Sequence, residues 1–334
     1  MASNRGPNTL NEQSSLKRIA TPAARAGEPH VLILMAARNG ADHLPEQLRS
    51  IATQFHTNWS LRASDDGSTD GTFAMLKDFA AQGHAASVVR GPCKGGTENF
   101  MSLLRAVPET EQESYLAFCD QDDVWMPTRL SHGIAALEQL PEGQPALFCS
   151  GTLITDNDLR NPRPSPPRPK LPGFRNALVQ NIASGNTTLL NPAATRLVCA
   201  AAHEAGEVVV HDWWVYQIVA GAGGTVIHDD TPLIYYRQHA ENQIGANDTP
   251  RAQLRRIVML LNGRFREWNE INIAALRASG HRLSAENLAV LEDFACLRKG
   301  GLFARFSRFL RLGLYRQSRP GTLALWLSVF LHRL

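Results

Sequence analysis

The sequence predicts an α/β protein: a mostly parallel central sheet flanked by helices, followed by a helical C-terminal extension. Three observations carry this reading. From residue 30 onward, short apolar runs alternate with segments of helical periodicity. The apolar runs are continuous, as strands covered on both faces require. Beyond Pro250 the pattern is helical only. The expected division is a disordered leader over 1–28, a main domain over 29–245 with halves at 29–155 and 173–245, and a basic helical region over 246–334.

The elements follow in order. Val31-Leu32-Ile33-Leu34-Met35-Ala36 reads as a buried strand ending at the turn signal Arg38-Asn39-Gly40. Leu44, Leu48, Ile51 and Ala52 recur at helical spacing, with Pro45 near the helix start. A second strand over 59–64 runs into Asp65-Asp66-Gly67-Ser68-Thr69-Asp70, and Phe73, Leu76 and Phe79 mark the next helix. Ser87-Val88-Val89 is a third strand, and Phe100, Leu103, Leu104 and Val107 a third helix. Tyr115-Leu116-Ala117-Phe118-Cys119 is a fourth strand, ending in Asp120-Gln121-Asp122-Asp123. The proline-rich stretch 162–172 is expected to be an extended loop that cannot join a sheet interior. After it come a strand over 187–190, a helix after Pro192, a helix from about Asp212, and strands near 225–227 and 233–236.

Composition narrows the function. A net charge of +3 over 334 residues argues against a dedicated nucleic-acid binder. The charge is uneven, however. After Asp293 there is no Asp or Glu, while Arg298, Lys299, Arg305, Arg308, Arg311, Arg316, Arg319 and Arg333 all follow. Within this tail Leu302, Phe303, Phe306, Phe309, Leu310 and Leu314 recur at helical spacing. An anionic membrane surface is the first candidate partner, and a helix packed on the main domain with a solvated arginine face is the alternative. The five cysteines are widely spaced and contain no Cys-x-x-Cys pair, which reads as reduced, buried thiols in a cytoplasmic protein. Residues 1–28 lack the apolar core of a secretory signal. The apolar run 323–331 is too short to span a bilayer as a helix.

In parallel sheets of this kind ligands bind outside the carboxyl ends of the strands. The polar clusters sit at those ends: Arg38-Asn39, Asp65-Asp66 and Asp120 to Asp123. In extended backbone, residues two apart face the same way, so Asp120 and Asp122 can project together. Their repulsion calls for a hard divalent cation with oxygen ligands, which keeps positions open for substrate phosphates. The competing reading is a solvated acidic turn with Asp123 or Thr128 capping the following helix. Asp65 and Asp66 precede the capping candidates Ser68, Thr69 and Asp70, so capping does not require them.

Taken as an ordered set, these motifs resemble family-2 glycosyltransferases of the GT-A fold. The likeness rests on Leu34-Met35-Ala36-Ala37-Arg38-Asn39-Gly40, Asp65-Asp66-Gly67-Ser68-Thr69-Asp70 and Phe118-Cys119-Asp120-Gln121-Asp122-Asp123-Val124-Trp125. Glu98-Asn99-Phe100, the run 180–187, His211-Asp212-Trp213-Trp214 and the run 236–242 follow in the expected order. The nearest likeness is to the bacterial branch called rhamnosyltransferases, and it covers roughly residues 30 to 245.

The resemblance implies a nucleotide-binding half and an acceptor-side half. Asp66, with Asp65 as the other possibility, would contact the pyrimidine base of a nucleotide-sugar donor. Ala37, Arg38 and Asn39, with Asn99 and Gln121, would line the nucleotide pocket. Asp120 would lie near the ribose and metal, and Asp122 would bind Mn2+ or Mg2+ through the diphosphate. Read from the residues alone, His211 and His239 are packing or orienting groups, and His239 is also a candidate to complete the metal shell. Asp212 matches the base that deprotonates the acceptor hydroxyl in an inverting transfer. The implied donor is dTDP-rhamnose or a UDP-hexose, and the implied acceptor a glycan or lipid-linked glycan in cell-surface polysaccharide synthesis, at the inner face of the cytoplasmic membrane. Two departures stand out: Arg38 replaces the family's usual aromatic residue, and Cys93-Lys94-Gly95-Gly96 replaces an Asn-Leu-Gly run. Two other readings compete. A nucleotidyltransferase would carry a Gly-rich phosphate loop with Arg and Lys after the first strand, where only Arg38-Asn39-Gly40 is present. A non-catalytic carbohydrate-binding scaffold would need neither the acidic cluster nor Asp212.

Overall fold

The structure, a computed structural model, describes residues 27–238, 264–297 and 300–331. The expected leader lies almost wholly outside the described residues, as do His239 and the start of the basic helical region.

The chain opens with β1 (Val31–Ala37), α1 (Leu44–Ala52), β2 (Trp59–Asp65), α2 (Thr72–Ala81), β3 (Ala86–Arg90), α3 (Gly96–Arg105) and β4 (Tyr115–Asp120). It continues through β5 (Val124–Trp125), α4 (Arg129–Leu137), β6 (Ala146–Thr155), β7 (Arg163–Pro164) and α5 (Phe174–Ala177). Next come β8 (Leu189–Leu190), α6 (Pro192–Glu204), α7 (His211–Gly221) and β9 (Thr225–Arg237). The C-terminal helices are α8 (Arg264–Ala278), α9 (Ala285–Ala295), α10 (Leu302–Leu312) and α11 (Arg319–Phe330). No helix among the described residues is long and apolar enough to cross a membrane.

The strands form one sheet in the order β3-β2-β1-β4-β8-β6-β9-β5, with β7 paired to β6. The first four are parallel, as expected, because each connection carries a crossover helix. The far half is mixed: β8 runs antiparallel to both β4 and β6, and β6 and β9 are parallel. Alternation along β1 divides the core. Leu32 and Leu34 face a layer built by α3, α5, α6 and α7. Val31, Ile33 and Met35 face α1, α2 and α4.

The far half of the sheet differs from expectation: β5 and β6 are not among the predicted strands, and 187–190 is the end of a 3-10 turn followed by the two-residue β8. The sequence suggests two strands near 225–227 and 233–236, separated by Asp229-Asp230-Thr231-Pro232. They are a single strand, β9, whose register against β6 shifts around Gly151. A Cβ at Gly151 would stand 2.5 Å from the Asp230 carbonyl oxygen, so glycine lets the backbones close across the irregularity. The proline-rich segment contributes only the exposed edge pair β7, where a missing N–H is harmless.

The C-terminal helices do not build a core of their own. Phe265, Ile273, Leu276, Phe294, Phe309 and Leu325 join the layer formed by α5–α7. The cysteines are all free; Cys119, Cys149 and Cys199 are buried, whereas Cys93 is exposed, unlike the expectation.

Asn191 ties the two halves together. It caps α6 by accepting from the Ala194 amide (2.9 Å), accepts from the Ala146 amide at the start of β6 (2.9 Å), and donates to the Gln144 carbonyl (2.8 Å). Asn191→Ala is expected to cost about 2 kcal/mol in urea denaturation, because a cap is lost and buried backbone groups go unpaired.

Candidate functional site

The parallel register brings three strand ends side by side. Ala37 pairs with Asp65, and Ala36 with Asp120. A cleft of about 430 Å3 opens beyond them, closed on the far side by 184–185 and the start of α7.

Its near wall is a laced loop. Asn39, in left-handed backbone (φ 50°), accepts from the Thr69 amide (2.9 Å), and its own amide donates to Ser68 Oγ (2.9 Å). Gly40 N donates to Thr72 Oγ1 (2.7 Å), and Ala41 N to Asp70 Oδ2 (3.1 Å). Ser68, Thr69 and Asp70 thus fasten the β1 loop instead of simply capping α2, whose cap position is Gly71. Gln121 grips the Arg38 backbone in both directions, accepting from its amide (2.7 Å) and donating to its carbonyl (2.9 Å). A Cβ at Gly40 would collide with that Gln121 side chain, so glycine there permits the grip. The Arg38 side chain is left exposed at the rim.

The two acidic residues after β2 separate. Asp66 is buried on the cleft wall, with one oxygen accepting from the Cys93 amide (2.6 Å) and the other from the Gly95 amide (2.7 Å). Asp65 is turned away from the cleft and receives Arg90 Nη1 at 2.6 Å, under the Phe73 ring that Arg90 stacks on. Asn99 reaches the cleft from α3 and is held by Ser64, donating to its carbonyl (3.0 Å) and accepting from its hydroxyl (2.5 Å).

Asp120, Asp122 and Asp212 share the cleft. Burial, then the charges of Asp122 and Asp212, push the Asp120 carboxyl up to about 8. Asp212 lies in the first turn of α7 but is not its cap, since the cap position is Val210. It accepts from the Gly185 amide (2.9 Å) and the Trp213 amide (2.6 Å). Burial raises its carboxyl to about 6 against the pull of those hydrogen bonds.

Asp123 does something else. It is fully buried, accepting from Asn186 Nδ2 (2.6 Å) and the Arg237 amide (3.4 Å), and burial and its acidic neighbours push its carboxyl well up. Arg237 in turn donates to the Asp122 carbonyl (2.9 Å) and pairs with Glu46 and the Asn157 carbonyl. Thr128 occupies the cap position of α4 but its side chain makes no capping hydrogen bond, and Asp123 lies outside the helix start. Because this lattice joins residues up to 191 positions apart, no local sequence pattern reveals it.

His211 and Tyr236 also line the cleft. The His211 ring stacks on Phe100 (4.0 Å between centroids), and burial lowers its pKa to about 3. It is therefore a neutral imidazole, and neither ring nitrogen has a protein partner among the described residues. The sequence suggests packing or orienting for it; its adjacency to Asp212 was the available signal for more.

Asp120 and Asp122 are the oxygen donors that the cleft offers to a divalent cation. Among the described residues no three His, Cys, Asp or Glu side chains group closely enough to hold a metal alone. Asp120 and Asp122 supply hard oxygen donors; burial first, and then the charges of Asp122 and Asp212, raise the Asp120 carboxyl, and a cation would offset the second of these. The expected third ligand, His239, is outside the described residues.

Residues 32–188 match the family model described as Glycosyl transferase family 2. The dTDP-rhamnosyl transferase RfbG of Shigella flexneri is 26% identical over 255 residues, covering 70% of this chain and 81% of that protein. The Escherichia coli UDP-Glc:alpha-D-GlcNAc-diphosphoundecaprenol beta-1,3-glucosyltransferase WfaP is 28% identical over 108 residues, covering 32% of this chain and 41% of that protein. The crystal structure of S. aureus TarS 1-349 in complex with UDP-GlcNAc overlays with a TM-score of 0.49 at 14% identity, covering 80% of each chain. The matched segment runs from β1 through the acidic cluster and β6 to the start of β8, and over it this α/β chain is similar to glycosyl transferase family 2.

Proposed function

We propose that the chain is an inverting, metal-dependent glycosyltransferase. It would move a sugar, with rhamnose the leading candidate, from a nucleoside diphosphate donor to a hydroxyl of a glycan or lipid-linked glycan in cell-surface polysaccharide synthesis. One observation carries the reading: the carboxylates of Asp120 and Asp122 and, from a distant part of the chain, that of Asp212 converge on one cleft at the strand ends. The relatives RfbG and WfaP support the reaction class and leave the donor between dTDP-rhamnose and a UDP-hexose.

In this reading Asp66 and Asn99 hold the base side of the cleft, with Ala37, Asn39 and the Gln121-braced Arg38 backbone along the nucleotide. Asp120 and Asp122 would hold Mn2+ or Mg2+ against the donor phosphates. Such a cation offsets the charge that develops on a departing diphosphate. Asp212, ionised, accepts the proton of the acceptor hydroxyl as that oxygen attacks the anomeric carbon from the face opposite the leaving group. The Gly185 and Trp213 amides keep its carboxylate fixed. Inversion follows from a single displacement with no covalent enzyme intermediate. The neutral His211 beside it can hydrogen-bond a sugar hydroxyl without competing for the proton.

The test is release of nucleoside diphosphate from dTDP-rhamnose, UDP-glucose and GDP-mannose, followed chromatographically with Mn2+ or Mg2+ and with EDTA. Metal-dependent release from one pyrimidine donor, accelerated by lipid-linked glycan, is the expected result. Metal-independent nucleotidyl transfer, or no turnover of any donor by folded protein, would refute the reading.

A further inference from the structure

We propose that the outward faces of α10 and α11 form a docking surface for an anionic lipid bilayer. On α10 the residues Leu302, Phe303, Phe306 and Leu310 lie on the solvent side, and on α11 so do Leu323, Leu327 and Phe330. Phe303 is 88% exposed, Leu323 71% and Phe330 61%, far more than a helix pair packed on a globular body normally leaves uncovered. The Phe306 ring meets Trp326 edge-on at 5.1 Å, which joins the two faces into one surface.

The opposite sides of both helices are anchored. Phe309, Leu312, Leu325 and Val329 are buried in the main core. Arg305 is buried between the helices and donates to the Val329 carbonyl (3.3 Å), and Arg308 donates to the Cys296 carbonyl (2.6 Å). These arginines therefore hold the pair in place, and the solvent-facing side is largely apolar, with Arg311 exposed at the end of α10. The surface is displayed by a fixed scaffold and needs no folding to bind.

Charge selects the occupant. Residues 294–334 hold eight Lys and Arg and no Asp or Glu. Arg319 is exposed at the start of α11, and the exposed Arg311 is matched only by Asp293 at 3.3 Å, a surface pair of little strength. A second copy would bring the same cationic region against itself, which repels. An anionic bilayer offers the opposite charge and an apolar interior for Phe and Leu, and it requires no matching shape. No residue of α10 or α11 lines the cleft, so the inference stands whether or not the glycosyl-transfer reading holds.

The experiment is co-sedimentation of the full chain with vesicles of phosphatidylcholine alone and of phosphatidylcholine with one-third phosphatidylglycerol. The chain is expected to bind the anionic vesicles at least about tenfold more strongly, with binding weakened by salt. The triple variant Phe303→Ser, Leu323→Ser, Phe330→Ser should lose at least about tenfold of that binding, with an unchanged thermal midpoint because the three side chains are exposed. Equal binding by the variant, or no sedimentation of the parent with anionic vesicles, would overturn the proposal. A parent dimer in light scattering that becomes monomeric in the variant, without vesicle binding, would assign the surface to a second copy instead.

Discussion

Replacing Asp122 by alanine is expected to lower turnover by about 10^2- to 10^3-fold, since removal of one group that stabilises transition-state charge costs on that order. The fold should survive. Asp122 is half-buried, and the bond it gives Arg237 uses its backbone carbonyl, which alanine retains. Asp123→Ala makes the informative contrast. Its carboxylate is buried and holds Asn186 and the Arg237 amide, so its removal should destabilise the protein by about 3 kcal/mol. Two neighbouring aspartates should therefore fail in different assays: Asp122→Ala in product release, Asp123→Ala in urea denaturation. If Asp122→Ala unfolds the chain while Asp123→Ala merely slows it, the assignment of roles within the cluster is wrong.

The second large effect concerns Asp212. Asp212→Asn keeps the shape and still accepts from the Gly185 amide with its remaining oxygen, but it cannot take a proton. Turnover should fall about 10^2- to 10^4-fold, the usual contribution of a general base. Nucleotide binding should be nearly unchanged, because the substitution removes a step and not the donor pocket. The pH dependence gives a separate check. Burial raises the Asp212 carboxyl to about 6, and only its ionised form can act as base. Activity should therefore climb about tenfold per pH unit below that value and level off above it. In Asp212→Asn the residual rate should lose this acid limb. His211 cannot supply the same limb, since its pKa is lowered to about 3.

Much of this site was legible because parallel strands place their carboxyl ends together. Apolar runs ending at Arg38, Asp65 and Asp120 point to the cleft, and the motifs name many of the residues that line it, though Asp65 turns away and Tyr236 had no predicted role. The division of labour was not legible. Asp65 and Asp66 are adjacent in sequence, yet one meets Arg90 and the other two backbone amides, because alternation along an extended segment sends them opposite ways. Asp123 looks like its neighbours until Asn186 and Arg237 appear beside it. The strand β9 was split by Asp229-Asp230-Thr231-Pro232, since a proline and two acids read as a break when the partner strand, with Gly151 opposite, is unknown. The C-terminal arginines have helical spacing that fits either an exposed or an inward face. Only the carbonyls of Val329 and Cys296 decide that Arg305 and Arg308 point inward.

The most direct measurement is calorimetric titration of dTDP and of UDP into the purified chain, with Mn2+ and then with EDTA, repeated on Asp122→Ala. The expected result is binding of one pyrimidine nucleotide that needs the metal and vanishes in the variant. Binding that is indifferent to both EDTA and Asp122→Ala, or no binding by demonstrably folded protein, would contradict the assignment of the cleft as a metal-dependent donor site.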